Sequence, residues 1–169
     1  MSAGAPHWEF VLAFYAQPGI ADACLVLQDE AGVDVVVLLF ALYAARERGV
    51  VFGEEEIRVA DETVGQWRRE VVEPLRAVRR RMKAMPEPMA GAAKERVRES
   101  VKAVEVEAER VALGMLAQRF EGMMVAGCGG RDDAGLVARV ARYFAQASGR
   151  GWEPSARIRE AVETVQLRR

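Results

Sequence analysis

Two carboxylates, Asp29 and Asp34, flank the glycine in "LQDEAGVDVVVLLF" (Leu27 to Phe40), with the Gln28 amide beside them. Such a cluster could hold a divalent cation or move a proton. Two carboxylates are too few ligands for a divalent site on their own. The single histidine, His7, lies near the start of the chain, so zinc and di-iron centres are not expected. The competing reading is structural. Asp34 stands just before an apolar run and has the side chain that caps a helix N-terminus. Asp29 and Gln28 would then serve donors around the turn.

A second chemistry-bearing set runs from Arg68 to Lys83. Arg68, Arg69, Arg76, Arg79, Arg80, Arg81 and Lys83 stand against Glu70 and Glu73, a local charge of +5 in a chain that totals −1. Arg69, Arg76, Arg80 and Lys83 can share one helix face. That face suits a phosphate, RNA or an acidic protein. The plainer reading pairs it with Glu54, Glu55, Glu56 and glutamates of a later helix; surface ion pairs are ordinary and individually weak. Arg76 and Arg80 are the candidate anion contacts. The total charge argues against a protein that coats nucleic acid.

Trp8, Phe10, Phe14, Tyr15 and Tyr43 could line a pocket for a flat or lipid-like ligand, although aromatics at helical spacing usually form core. A Tyr15 hydroxyl in such a pocket needs a partner, and Gln28 is one. Cys24 sits among apolar residues without an evident base, so packing is its expected role. "GCGG", Gly127 to Gly130, lacks the lysine and the strand-to-helix context of a phosphate loop. No cofactor and no metal are implied.

These residues must be positioned by helices. Pro6 suits a first turn, and Trp8, Val11, Leu12 and Tyr15 recur on one face before "QPG" stops helix one. A second helix from about Ile20 ends at Gly32. A third, about 35–48, is apolar around its circumference and therefore central. "RERG", with cations and then glycine, closes it. A short helix starts near Glu54. A new helix capped by Asp61 or Thr63 follows, with Trp67, Val71, Leu75, Val78 and Met82 inward and Pro74 interrupting it. "MPEPMAG" is a break. A long helix, about 92–120, carries Val97, Val101, Val104, Ala108, Val111 and Met115 in a coiled-coil-like seam. Asp132 or Asp133 caps the next helix, and a last amphipathic helix carries Ile158, Ala161, Val162 and Val165.

The chain has 169 residues, 51% apolar and 29% charged, a globular composition. Two cysteines make no disulfide framework. The first ten residues lack a signal-peptide pattern. The longest apolar run, Val35 to Ala45, is well short of the roughly 20 residues that span a bilayer. A cytosolic protein is expected.

"YAQPGIADACLVLQDEAGVDVVVLLF" resembles the signature of a bacterial domain-of-unknown-function family, PGVA-x-ACL-x-LQD-x-x-G-x-DVN-x-LLF. Trp67-Arg68, Pro74-Leu75-Arg76, Ala108-Glu109-Arg110 and Arg142-Tyr143 match its later steps in order. The resemblance runs from about Trp8 to Ser148. It implies an all-helical fold and carries no established activity. Val36 stands where the family pattern has Asn, so a polar site using that Asn is altered here.

Together these readings describe one all-α domain, 1–169, of about six to eight helices, with 1–6 and 166–169 as loose ends. The first functional expectation is a non-catalytic interaction or regulatory protein with a protein partner, open to homodimer formation through the long helix. The alternative is a ligand-binding protein or enzyme with a polar pocket near Gln28, Asp29, Asp34 and Tyr15. Nucleic-acid binding through 68–83 comes third.

Overall fold

The structure, a computed structural model, describes residues 5–86, 91–125, 133 and 135–168. Among these there is no strand. The order is α1 Pro6–Tyr15, α2 Ile20–Ala31, α3 Val35–Arg48, α4 Glu54–Trp67, a π-helical turn Arg68–Val72, α5 Glu73–Ala84, α6 Gly91–Arg119, α7 Glu121–Val125, α8 Leu136–Ala147 and α9 Ala156–Leu167. Since α4 and α5 run together through the π turn, the described chain forms an all-α bundle of eight rods.

The central position of α3 follows from its sequence. Every residue from Val37 to Ala45 is buried, and α1, α2, α4, α6, α7 and α8 all pack on it. A helix apolar all round has no face to give to water. The Phe40 ring lies 6.1 Å from Phe52 and 5.7 Å from Phe120.

The second half of the bundle departs from expectation in three places. Asp61 and Thr63 cap nothing. The helix expected from about Glu54 is capped at Gly53, whose N–H donates to Glu56 Oε2 at 2.9 Å, and instead of ending it runs through both residues. Thr63 donates instead to the Val59 carbonyl, as mid-helix threonines do. Pro74 does interrupt the rod. Lacking an N–H, it cannot bond four residues back, and the Glu73 N–H reaches the Arg68 carbonyl, five residues back.

The seam on α6 is the second departure. Of its six residues only Ala108 is buried, and Val97, Val104 and Val111 are exposed. The packed face is Glu105, Ala108, Ala112, Leu113 and Leu116. The valine spacing and the packed face are both compatible with one helix. Small alanines and a paired Glu105 decide which turns inward. No residue of α5, and none from Gly91 to Val104, is buried. The α5 backbone lies close only to α6 and the π turn.

The third concerns the end of the chain. Asp132 and "GCGG", Cys128 included, lie outside the described residues. Asp133 does not cap α8; Gly135 does so, with φ +67°. The Asp133 carboxylate binds Arg46 Nε at 2.6 Å. Arg46 also donates to the carbonyls of Gln166 (3.0 Å) and Arg168 (2.6 Å), satisfying the open end of α9. Residues 166–168 are therefore tied to the bundle.

Candidate ligand-binding site

The site begins at the turn between α2 and α3. Gly32 takes φ +70°. Its N–H donates to the Gln28 carbonyl and that of Val33 to Leu27, the pattern that ends a helix at a left-handed glycine. A side chain here would be strained by φ, and its Cβ would lie 3.3 Å from Ser148 Oγ. The turn sets Gln28, on the last turn of α2, beside Asp34, which opens α3.

Asp34 is a helix cap, as its place in the sequence predicts. Oδ1 accepts the N–H groups of Val36 (2.8 Å) and Val37 (3.2 Å). It is also more than a cap. Oδ2 accepts from Arg68 Nη1 at 2.7 Å, while Arg68 Nη2 donates to Asp61 Oδ1 at 2.7 Å. The Tyr143 hydroxyl donates to Asp61 Oδ2 at 3.1 Å. Burial beside Asp61 pushes the Tyr143 phenol up to about 12. One charged chain thus joins α3, α4, the π turn and α8.

A second network joins α5 to α6. Arg76 Nε donates to Glu105 (3.1 Å) and Arg76 Nη2 to Glu109 (2.8 Å). Arg79 also donates to Glu105. Burial opposes the Glu105 charge, but the bonds from Arg79 and Arg76 overcome it and hold that carboxyl below its usual range. Glu109 goes the other way. Burial, with Glu105 nearby, raises it despite Arg76. The basic helix therefore does pair with glutamates of α6. Glu55 and Glu56 serve Arg58 and the α4 start instead. Arg80 meets Asp29 at 3.2 Å, both side chains about half exposed.

Two cavities meet here. One, about 400 Å³, holds Asp34, Asp61, Arg68 and Glu73. The other, about 360 Å³, is a groove between α1–α2 and α5–α6, with Trp8, Leu12, Tyr15 and Leu25 on one side and Arg79, Arg80, Lys102 and Val106 on the other. Gln28, Val35, Val36 and Arg76 line both.

Gln28, Asp34, Arg76 and Tyr15 are thus gathered, and Arg80 lines the groove with Asp29 as its partner. The expected Tyr15–Gln28 bond is absent, and neither side chain has a hydrogen-bond partner among the described residues. The expected inward face of α1 is also turned. Val11 and Phe14 are buried, whereas Leu12 (51%) and Tyr15 (39%) are exposed to the groove. Cys24, at its floor, is pushed up to about 12 by burial, which leaves it a poor nucleophile. No group of three or more His, Cys, Asp or Glu among the described residues could hold a metal ion. No single helix there is long and apolar enough to cross a membrane.

Sequence reasoning placed Arg68 in the basic set but did not pair it with Asp34 or Asp61, and it expected glutamates of the long helix as partners without singling out Glu105 and Glu109. Their spacing of four, which places them on one helix face, was a signal for the choice.

The chain matches the family model described as Protein of unknown function (DUF2390) over residues 6–116. It belongs to that family. The DUF2390 match contains every residue that lines the groove, from Trp8 to Leu113. It stops before Arg142-Tyr143, the last step of the resemblance seen in the sequence. Val36, the position at which that resemblance has Asn, lies where the two cavities meet. No curated protein and no solved structure matches this DUF2390 chain.

Proposed function

We propose that the chain is a non-catalytic, cytosolic binding protein and that the groove between α1–α2 and α5–α6 is its ligand site. One observation carries this reading. Leu12, Tyr15, Leu25 and Val106 are exposed large apolar side chains gathered around one groove, and contiguous exposed apolar surface marks binding sites. A few polar groups within an apolar cavity of this size are what ligand pockets present. Arg76, Arg79, Glu105 and Glu109 are committed to one another, which favours binding over chemistry. Nile red, an uncharged apolar dye, tests it. Fluorescence is expected to rise with the folded protein. The Leu12→Asp, Leu25→Asp double variant should lose about tenfold in affinity with unchanged helical circular dichroism, because both side chains are about half exposed. No rise with the parent protein, or equal binding by the variant, removes the proposal.

A second reading rests on Val97, Val104 and Val111, exposed on α6 at intervals of seven. This stripe suits a second copy of the chain. Light scattering across a hundredfold concentration range is expected to show a dimer that Val104→Glu disperses; a monomer throughout ends that reading.

A further inference from the structure

We infer that the occupant of the groove is a free single-chain amphipathic anion, its apolar tail toward the floor and its carboxylate or phosphate head toward α5 and α6. This rests on the groove being a ligand site.

Polarity changes across the groove. Its inner lining includes Val11, Leu39 and Leu113, all buried. Its outer edge is cationic. Four cations, Arg76, Arg79, Arg80 and Lys102, line it against two carboxylates, Glu105 and Glu109. Arg76 and Arg79 are bound to those glutamates. The remaining positive charge lies on Arg80 and Lys102, whose side chains are 51% and 57% exposed. Arg80 has one bond, at 3.2 Å, to Asp29. Lys102 Nζ stands 3.9 Å from Glu99, too far for a hydrogen bond. Both can turn to an incoming anion and give charge-assisted bonds. A cationic amphiphile would meet Arg80 and Lys102 head-on, and a neutral one would leave them unused.

Displacement of Nile red by chain-matched amphiphiles below their micelle concentrations is the test. Dodecanoate and dodecyl phosphate are expected to compete about tenfold better than dodecanol, and dodecyltrimethylammonium worse than dodecanol. The relative strength of the two anions separates carboxylate from phosphate. In the Arg80→Gln, Lys102→Gln variant the preference for anions over dodecanol should fall about tenfold, with Nile red itself still bound. Equal competition by anion, alcohol and cation overturns the inference while leaving the groove a ligand site. Failure of Nile red and of every amphiphile to bind overturns both. Co-sedimentation with phosphatidylglycerol vesicles, without displacement by dodecanoate, assigns the basic edge to a membrane surface and also overturns it.

Discussion

Replacing Asp34 by alanine is expected to cost about 3 kcal/mol of folding stability in urea unfolding. One carboxylate does two jobs here. Oδ1 serves two N–H groups at the start of the most buried helix, and Oδ2 serves Arg68. A cap is worth about 1 kcal/mol. A hydrogen bond to a charged partner adds about 2 kcal/mol. The Asp34 side chain is 8% exposed, but Arg68 is 23% exposed and keeps Asp61. The loss should therefore stay below the full cost of stranding a buried charge. Asp34→Asn separates the two jobs. Asparagine caps as well as aspartate but brings no charge to Arg68, so it should cost about 2 kcal/mol. Equal losses for the two variants would show that the cap contributes nothing.

The second large effect is a difference in sign between neighbours on α6. Glu105→Gln should lose about 2 kcal/mol at neutral pH, because Arg76 and Arg79 both converge on that carboxylate. Glu109→Gln should change stability by less than about 0.5 kcal/mol, with a gain as the expected direction. The pH dependence follows from the same geometry. The Glu105 carboxyl is held below its reference value of 4.5. Its contribution is complete above that value and is lost as pH falls through the folded-state value. Glu109 is raised above 4.5. Its charge therefore opposes folding at neutral pH, and the penalty is relieved as pH falls through the raised value toward 4.5. As pH falls from 7 toward 4.5 the parent protein should gain stability relative to Glu109→Gln. Below pH 4.5 it should lose its advantage over Glu105→Gln. Urea titrations of the three proteins at pH 7, 5 and 3.5 decide this; parallel curves would refute the assigned environments.

Local signals that no neighbour could override were legible in the sequence. The α3 helix, 35–48, was one: a cap at Asp34, an apolar run too long for a strand, and glycine at 49. The Gly32 stop and the Pro74 interruption were others. What failed was the choice among equivalent faces. On α1, Leu12 and Tyr15 look as suited to the core as Phe14, and only the position of α5 leaves them open to a groove. On α6 the valine seam looks apolar enough to pack, yet Glu105 goes inside because two arginines on α5 meet it. Asp61 reads as a helix start because its partners, Arg68 and Tyr143, come from other elements. Of the candidate site, the sequence singled out Gln28, Asp34, Tyr15 and Arg76, which the fold gathers around the two cavities. Their charged partners depend on long-range pairings that spacing does not encode.

The placement of α5 gives the groove two walls of unequal firmness. The α1–α2 wall is anchored in the aromatic core, whereas α5 has no buried residue, lies against α6 and the π turn, and meets α2 through the half-exposed Arg80–Asp29 pair. Stability in a folded chain is distributed unevenly, and segments with little buried apolar surface open at a fraction of the global cost. Local unfolding is therefore expected to begin at α5, whose backbone amides should exchange with solvent faster than those of α3.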